Sequence, residues 1–331
     1  MATDTVAVIG SGAWGTALAQ AVATTGRTVI LHGRDTTVAE AINTTHKNPK
    51  YLGDLPLSKR ISAEIGYAGL ADASLVILAV PAQVSRSVLA EIGPEALAGK
   101  PVVLSAKGLE DKTLDRQSEI LFELAPQARP FVLSGPSFAA DVAAGRPTAV
   151  TLAGRNEAET LAIALKLAGP TFRPYVSTDV VGVELVGALK NVYALACGAV
   201  EGADLGASAR SALLARAFAE MARIVTGLGG ETATLTGLAG LGDLTLSCTT
   251  AQSRNYQFGV QLGRGQTVAE IRAGGAKLAE GVMTAPVALA MAQKLGVAAP
   301  LIEAVNALLT GRARIDTIVA GLMTRPIKRE D

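Results

Sequence analysis

The feature that most constrains this 331-residue chain is its start, where Val6-Ala7-Val8-Ile9 runs into Gly10-Ser11-Gly12-Ala13-Trp14-Gly15 and then into the helix-prone residues 16–23. A strand that enters G-x-G-x-x-G and leaves as a helix is the dinucleotide fingerprint of a Rossmann unit. Gly10 permits the tight turn, Gly12 lets the backbone approach a pyrophosphate, and Gly15 lets the helix close on the strand. The pyrophosphate then meets the free N–H groups and the positive dipole end of that helix.

The pattern continues beyond the fingerprint. Aliphatic runs at residues 5–9, 28–31, 75–80, 101–104, 131–133 and 149–152 read as strands, with helix-compatible segments between most of them. Near-continuous apolar strands separated by helices predict a parallel sheet covered on both faces. From Asp179 onward the chain changes character, with long Ala/Leu/Gly/Val stretches at residues 181–202, 208–228 and 285–294 that carry a helical period and no strand alternation. The expected fold is α/β, with an N-terminal doubly wound Rossmann sheet over residues 1–178 and a C-terminal all-helical domain over residues 179–331.

Composition narrows the function. The chain holds 30 Lys+Arg against 29 Asp+Glu without blocks of like charge, so no nucleic-acid partner is expected. The longest clean apolar run, residues 75–82, falls short of the roughly 20 residues of a spanning helix, and residues 180–200 are interrupted by Glu184, Lys190 and Asn191. No membrane span is predicted. The start lacks a basic leader pattern, and Cys197 and Cys248 show no CxxC spacing, so the expected compartment is the cytoplasm. His32 and His46 are the only histidines, so no His-rich metal site is expected and acid-base work falls to lysines and carboxylates.

The end of the second strand bears on which dinucleotide binds. An acidic residue there would accept a hydrogen bond from the ribose 2′-OH of NAD. This chain reads Leu31-His32-Gly33-Arg34-Asp35; Arg34 suits a 2′-phosphate and favours NADP, while Asp35, slightly later, keeps NAD open.

Hydride transfer to a carbonyl needs a proton donor. A Tyr-x-x-x-Lys pair is absent, because none of the five tyrosines has Lys four residues later. Lys190 shares a helical stripe with Val183, Val186, Gly187, Tyr193, Ala194 and Cys197, where desolvation would ready its ammonium to give up a proton near neutrality. A lysine that snorkels from a helix edge fits the same stripe, which by itself does not decide between them. Asp243 sits in Gly240-Leu241-Gly242-Asp243-Leu244 as a site carboxylate or a helix cap. Ser253-Arg254-Asn255 offers a row of donors before a helix, suited to a phosphate, although Arg254 also fits a surface ion pair. Leu133-Ser134-Gly135-Pro136-Ser137-Phe138 follows a strand end, where ligands of open α/β sheets bind.

These motifs, with Ala106-Lys107-Gly108 and Glu184-Leu185-Val186-Gly187-Ala188-Leu189-Lys190-Asn191, occur in the order of the bacterial-type glycerol-3-phosphate dehydrogenases, which the chain resembles over essentially its whole length. The resemblance implies reversible reduction of dihydroxyacetone phosphate to sn-glycerol 3-phosphate by NAD(P)H, supplying phospholipid synthesis, in a homodimer. It makes Lys190 the proton donor and, with Lys107 and Asp243, a catalytic residue, Lys107 orienting the carbonyl. Gly135, Ser137, Asp243, Ser253, Arg254 and Asn255 would line the substrate site with both lysines, Arg254 reaching phosphate or cofactor. Ser11, Trp14, Arg34, Ala139, Leu278 and Glu280 would contact the cofactor alongside Gly10, Gly12, Gly15 and Lys107. Leu278 and Glu280 rest on Lys277-Leu278-Ala279-Glu280-Gly281 alone. Asp141 stands where the family more often has Glu, and residues 48–58 match it poorly. Two other readings are a ketopantoate or hydroxyacid-type reductase, disfavoured by Ser253-Arg254-Asn255, and an inactive NADP sensor, disfavoured by the intact Lys107, Lys190 and Asp243.

Overall fold

The computed structural model describes residues 4–276, 279–324, 326, 327 and 329. Its aliphatic runs form one sheet among the described residues: β1 (Thr5–Ile9), β2 (Thr28–Gly33), β3 (Ile61–Ile65), β4 (Leu75–Leu78), β5 (Pro101–Leu104), β6 (Arg129–Ser134), β7 (Thr148–Ala153) and β8 (Phe172–Ser177). The order is β3-β2-β1-β4-β5-β6-β7-β8. β1, β4 and β5 are buried along their whole length, as the middle strands of a sheet covered on both faces must be. The order reverses between β1 and β4, which opens a ligand crevice outside their carboxyl ends.

The connections carry α1 (Ala13–Ala23), α2 (Thr36–Thr45), the single-turn α3 (Pro49–Leu52), α4 (Ser85–Ile92), α5 (Pro94–Leu97), α6 (Gln117–Leu124), α7 (Ala139–Ala143) and α8 (Glu157–Leu167). The sheet departs from the expected all-parallel pattern at one place, because β7 runs antiparallel to β6. The connector holds only the five-residue α7. Such a helix rises about 7.5 Å, well short of the roughly 20 Å needed to carry the chain back along a six-residue strand. Two strands went unpredicted, β3 and β8, and both lie at sheet edges. In β3 only Ile61 and Ala63 are buried, and β8 carries Arg173 and Pro174, so neither reads as an apolar run.

After β8 the described residues hold helices: α9 (Val180–Gly202), α10 (Gly206–Gly227), α11 (Thr232–Thr236), α12 (Asp243–Thr249), α13 (Arg254–Gly263), α14 (Val268–Ala273), α15 (Glu280–Leu295), α16 (Pro300–Leu309) and α17 (Ile315–Met323). The chain divides into two compact units, Met1–Gly187 with Gly230–Asp243, and Ala188–Gly229 with Leu244–Asp331. Helix α9 is long and apolar enough to cross a membrane by length and composition, and 89% of its most apolar window is buried. A helix apolar all round is what the centre of a fold requires.

Within the first unit, Glu184 of α9 accepts from the Ser118 backbone N–H at 2.8 Å and the Ser118 hydroxyl at 2.5 Å, with Arg116 3.6 Å away. Burial pushes this carboxyl up from 4.5 to about 7, against the opposing pull of the Ser118 hydrogen bonds. A carboxyl with a raised folded value contributes stability below 4.5 and loses it as the pH rises through 7. Glu184→Gln, which keeps an acceptor for the Ser118 N–H, escapes that loss. It gains on the order of 1–3 kcal/mol relative to the parent between about pH 5 and about pH 8, as read by urea unfolding. An equal difference at both pH values refutes the assignment.

Candidate active site

The dinucleotide turn is built on backbone that only glycine allows. Gly10 has φ +113°, and a Cβ there would lie 2.7 Å from the Ala79 carbonyl oxygen. A Cβ on Gly15 would lie 1.8 Å from the Gly10 oxygen, so α1 closes on β1 only without one. Gly12 is the N-cap of α1, no side chain caps that end, and a Cβ on Gly12 would meet nothing within 4 Å. The Trp14 indole Nε1 is buried without a partner among the described residues. Open space beside uncapped N–H groups, together with an orphaned donor, fits a pyrophosphate-bearing cofactor.

Asn48 braces this turn. It is fully buried, and its Nδ2 donates to the Ser11 carbonyl at 3.0 Å and to the Thr16 hydroxyl at 2.8 Å. Arg34 follows β2 directly and is exposed. Asp35 is the N-cap of α2: its Oδ1 accepts from the Thr37 and Val38 N–H groups and the Thr37 hydroxyl, and its Oδ2 accepts from Lys50 at 2.6 Å. The Lys50 bond, then the Thr37 and Val38 bonds, hold this carboxyl well below the usual carboxylate range.

A second cluster in the same unit centres on Lys107, in the loop after β5. Its Nζ donates to the Asp243 Oδ2 at 2.8 Å and to the Gly135 carbonyl at 2.8 Å, with the Ser137 hydroxyl at 3.5 Å and the Trp14 ring centre at 6.0 Å. Gly135 turns the chain out of β6 with φ +143°, where a Cβ would lie 2.9 Å from the Val150 Cα. Ser137 donates to the Gly135 carbonyl at 2.9 Å, and Ala139 opens α7 just beyond. Asp243, 1% exposed, is delivered by a π-helical turn over Leu238–Gly242. That segment is anchored by Asp179, whose Oδ2 accepts from the Glu231 N–H at 2.8 Å and the Thr234 hydroxyl at 2.6 Å while its Oδ1 accepts from the Gly182 N–H near the start of α9. Single-turn π segments occur frequently at functional sites.

The second unit holds the remaining residues. Lys190, 6% exposed, donates to the Ser247 hydroxyl at 2.8 Å. The side chain therefore stays inside instead of snorkelling. Next to it on α9, the Asn191 Oδ1 accepts from the Asn255 Nδ2 at 2.8 Å, and the Asn255 Oδ1 accepts from the Gly281 N–H at 2.9 Å. Ser253 caps α13 through the Tyr256 N–H, and Arg254 is the exposed first residue of that helix. Glu280 opens α15 one residue before Gly281, and Leu278 lies outside the described residues. Sequence reasoning missed Ser247 and Asn48. Ser247 lies one turn after Asp243 on α12, so helical spacing could have found it. Asn48 sits in a segment with no periodic signal.

Family models for the N-terminus and the C-terminus of NAD-dependent glycerol-3-phosphate dehydrogenase match residues 5–160 and 179–320. A glycerol-3-phosphate dehydrogenase of the NAD(P)+ type from Parvibaculum lavamentivorans is 47% identical over 98% of each chain. One from Caulobacter vibrioides is 47% identical over 100% of each. The crystal structure of glycerol-3-phosphate dehydrogenase from Coxiella burnetii superposes with a TM-score of 0.91 at 35% identity, covering 97% of this chain and 99% of that one.

Proposed function

Because the chain belongs to the NAD-dependent glycerol-3-phosphate dehydrogenase family, we infer that it is an oxidoreductase reversibly reducing dihydroxyacetone phosphate to sn-glycerol 3-phosphate with NAD(P)H. The observation that carries this is 47% identity over nearly the full length of relatives bearing that name. The cofactor, when bound, supplies the hydride that reduces the carbonyl carbon.

The residues divide the remaining work. Gly10, Ser11, Gly12, Trp14 and Gly15 hold the pyrophosphate on uncapped backbone N–H groups of α1, with Ala139, Leu278 and Glu280 as further cofactor contacts. Lys107, neutralised and aimed by Asp243, presents its ammonium to the substrate carbonyl beside Gly135 and Ser137. Lys190 gives its Nζ proton to the alkoxide oxygen as it forms and takes it back in the oxidation, with Ser247 fixing the direction of the ammonium. Ser253, Arg254 and Asn255 bind the substrate phosphate at the N-terminus of α13, and that remote contact orients the carbonyl. Asn255 spends one amide hydrogen and its oxygen on protein partners, leaving a second hydrogen to donate. NADP is the favoured cofactor, because Arg34 is exposed while both Asp35 oxygens already have partners. The same reading makes the enzyme a cytoplasmic homodimer serving phospholipid synthesis.

NADPH oxidation followed with dihydroxyacetone phosphate, ketopantoate and other ketoacids side by side tests the reading. Turnover is expected on the triose phosphate alone. Turnover on ketopantoate without it would make the chain a ketoacid reductase, and none on any substrate would favour a sensor.

A further inference from the structure

The tandem Arg34-Asp35 raises a difficulty for a phosphorylated ribose. A guanidinium and a carboxylate side by side sum to no net charge, and a carboxylate at this place ordinarily selects the unphosphorylated 2′-OH. The structure supplies a third charge from the helix that follows α2, 15 positions along the chain from Asp35. Lys50 Nζ lies 2.6 Å from the Asp35 Oδ2 and 5.7 Å from the centre of the Tyr51 ring.

The placement of Lys50 is not that of an arbitrary surface lysine. It sits on α3, and the residue preceding that helix is Asn48, whose buried amide grips the Ser11 carbonyl and the Thr16 hydroxyl under the dinucleotide turn. The segment is tied again where the Ser58 N–H donates to Gln20 Oε1 of α1 at 2.8 Å and the Leu57 N–H donates to the His46 carbonyl at 2.7 Å. One strap therefore braces the turn with Asn48 and reaches the end of β2 with Lys50. The Asp35 Oδ1 is meanwhile held by the first turn of α2, which fixes the orientation of the carboxylate. Only a cation on Oδ2 removes its repulsion, and Arg34 makes no hydrogen bond or ion pair among the described residues that would divert its own charge.

We propose that Lys50 is a specificity-determining residue for the cofactor: by neutralising Asp35 it leaves Arg34 as uncompensated positive charge, so that a 2′-phosphate is accepted. The proposal rests on the reading that Arg34 receives that phosphate. Lys50 and Asp35 are part-exposed, at 56% and 27%, so the pair is sensitive to ionic strength.

Calorimetric titration of the whole protein with 2′,5′-ADP and with 5′-AMP isolates the effect from catalysis. In Lys50→Ala the Kd for 2′,5′-ADP rises about tenfold at low salt while that for 5′-AMP stays within about twofold, the loss expected for one exposed unit charge. Adding Asp35→Asn, which preserves a capping side chain, restores 2′,5′-ADP affinity to near the parent value. The NADPH to NADH ratio of KM follows the same order, with kcat unchanged. Equal weakening of both nucleotides in Lys50→Ala, or no repair by Asp35→Asn, overturns the proposal. Arg34→Ala is titrated alongside. An unselective effect there removes the reading on which the proposal rests, whereas a selective Arg34 effect with an unselective Lys50 effect removes only the proposal.

Discussion

Replacing Lys190 with alanine lowers kcat by about three orders of magnitude and leaves the Kd for NADPH within about twofold of the parent, a general acid being worth roughly a hundred- to ten-thousandfold. Lys190 is 6% exposed and its ammonium is aimed by Ser247 at 2.8 Å, so the side chain cannot act as a surface charge. Trp14, the single tryptophan, lies on the dinucleotide turn, and quenching of its fluorescence measures cofactor binding independently of turnover. Lys190→Arg keeps the charge but replaces the ammonium with a guanidinium that does not give up its proton, so it should fail nearly as badly. Retained turnover in either variant dismisses Lys190 as the acid. Ser247→Ala should lower kcat more modestly while KM for the triose phosphate holds.

The Lys107–Asp243 pair gives the other large effect. Asp243 is 1% exposed and the Lys107 side chain 14%, so removing the carboxylate strips a mostly buried ammonium of its ion-pair partner at 2.8 Å. Asp243→Ala is expected to cost about 3–5 kcal/mol of stability in urea unfolding, in addition to abolishing measurable activity. The double variant Lys107→Met with Asp243→Leu recovers most of that stability, because an apolar pair no longer carries the desolvation cost, yet it remains inactive. Recovery of both stability and activity in the double variant would show that the pair serves the fold alone.

The central strands and the fingerprint were legible because their physics is local. β1, β4 and β5 are buried on both faces and therefore read as unbroken aliphatic runs, and β1 and β5 have the predicted bounds. β3 and β8 each keep a solvated side and lost their signal to Glu64, Arg173 and Pro174. The direction of β7 was illegible because it depends on the short reach of α7 and not on the strand's own residues. At the site, Asp243 could be suspected from its Gly-rich turn, and Lys107 only from the family resemblance. Their 2.8 Å pairing across 136 positions of chain could not.

By itself the sequence determined which side chains are available to this protein: a glycine turn suited to a pyrophosphate, two histidines against many lysines and carboxylates, and a row of donors suited to a phosphate. Those properties reside in residue types and short spacings, which survive in one dimension. Tertiary structure alone decided how the charges are spent. It brought the Gly230–Asp243 segment back to the first unit through Asp179, so that Asp243 pairs with Lys107. It also brought Lys50 of α3 to Asp35 just past the end of β2, 2.6 Å apart. Electrostatic energy falls with distance through space and not along the chain, so only folding could settle which carboxylate each lysine neutralises.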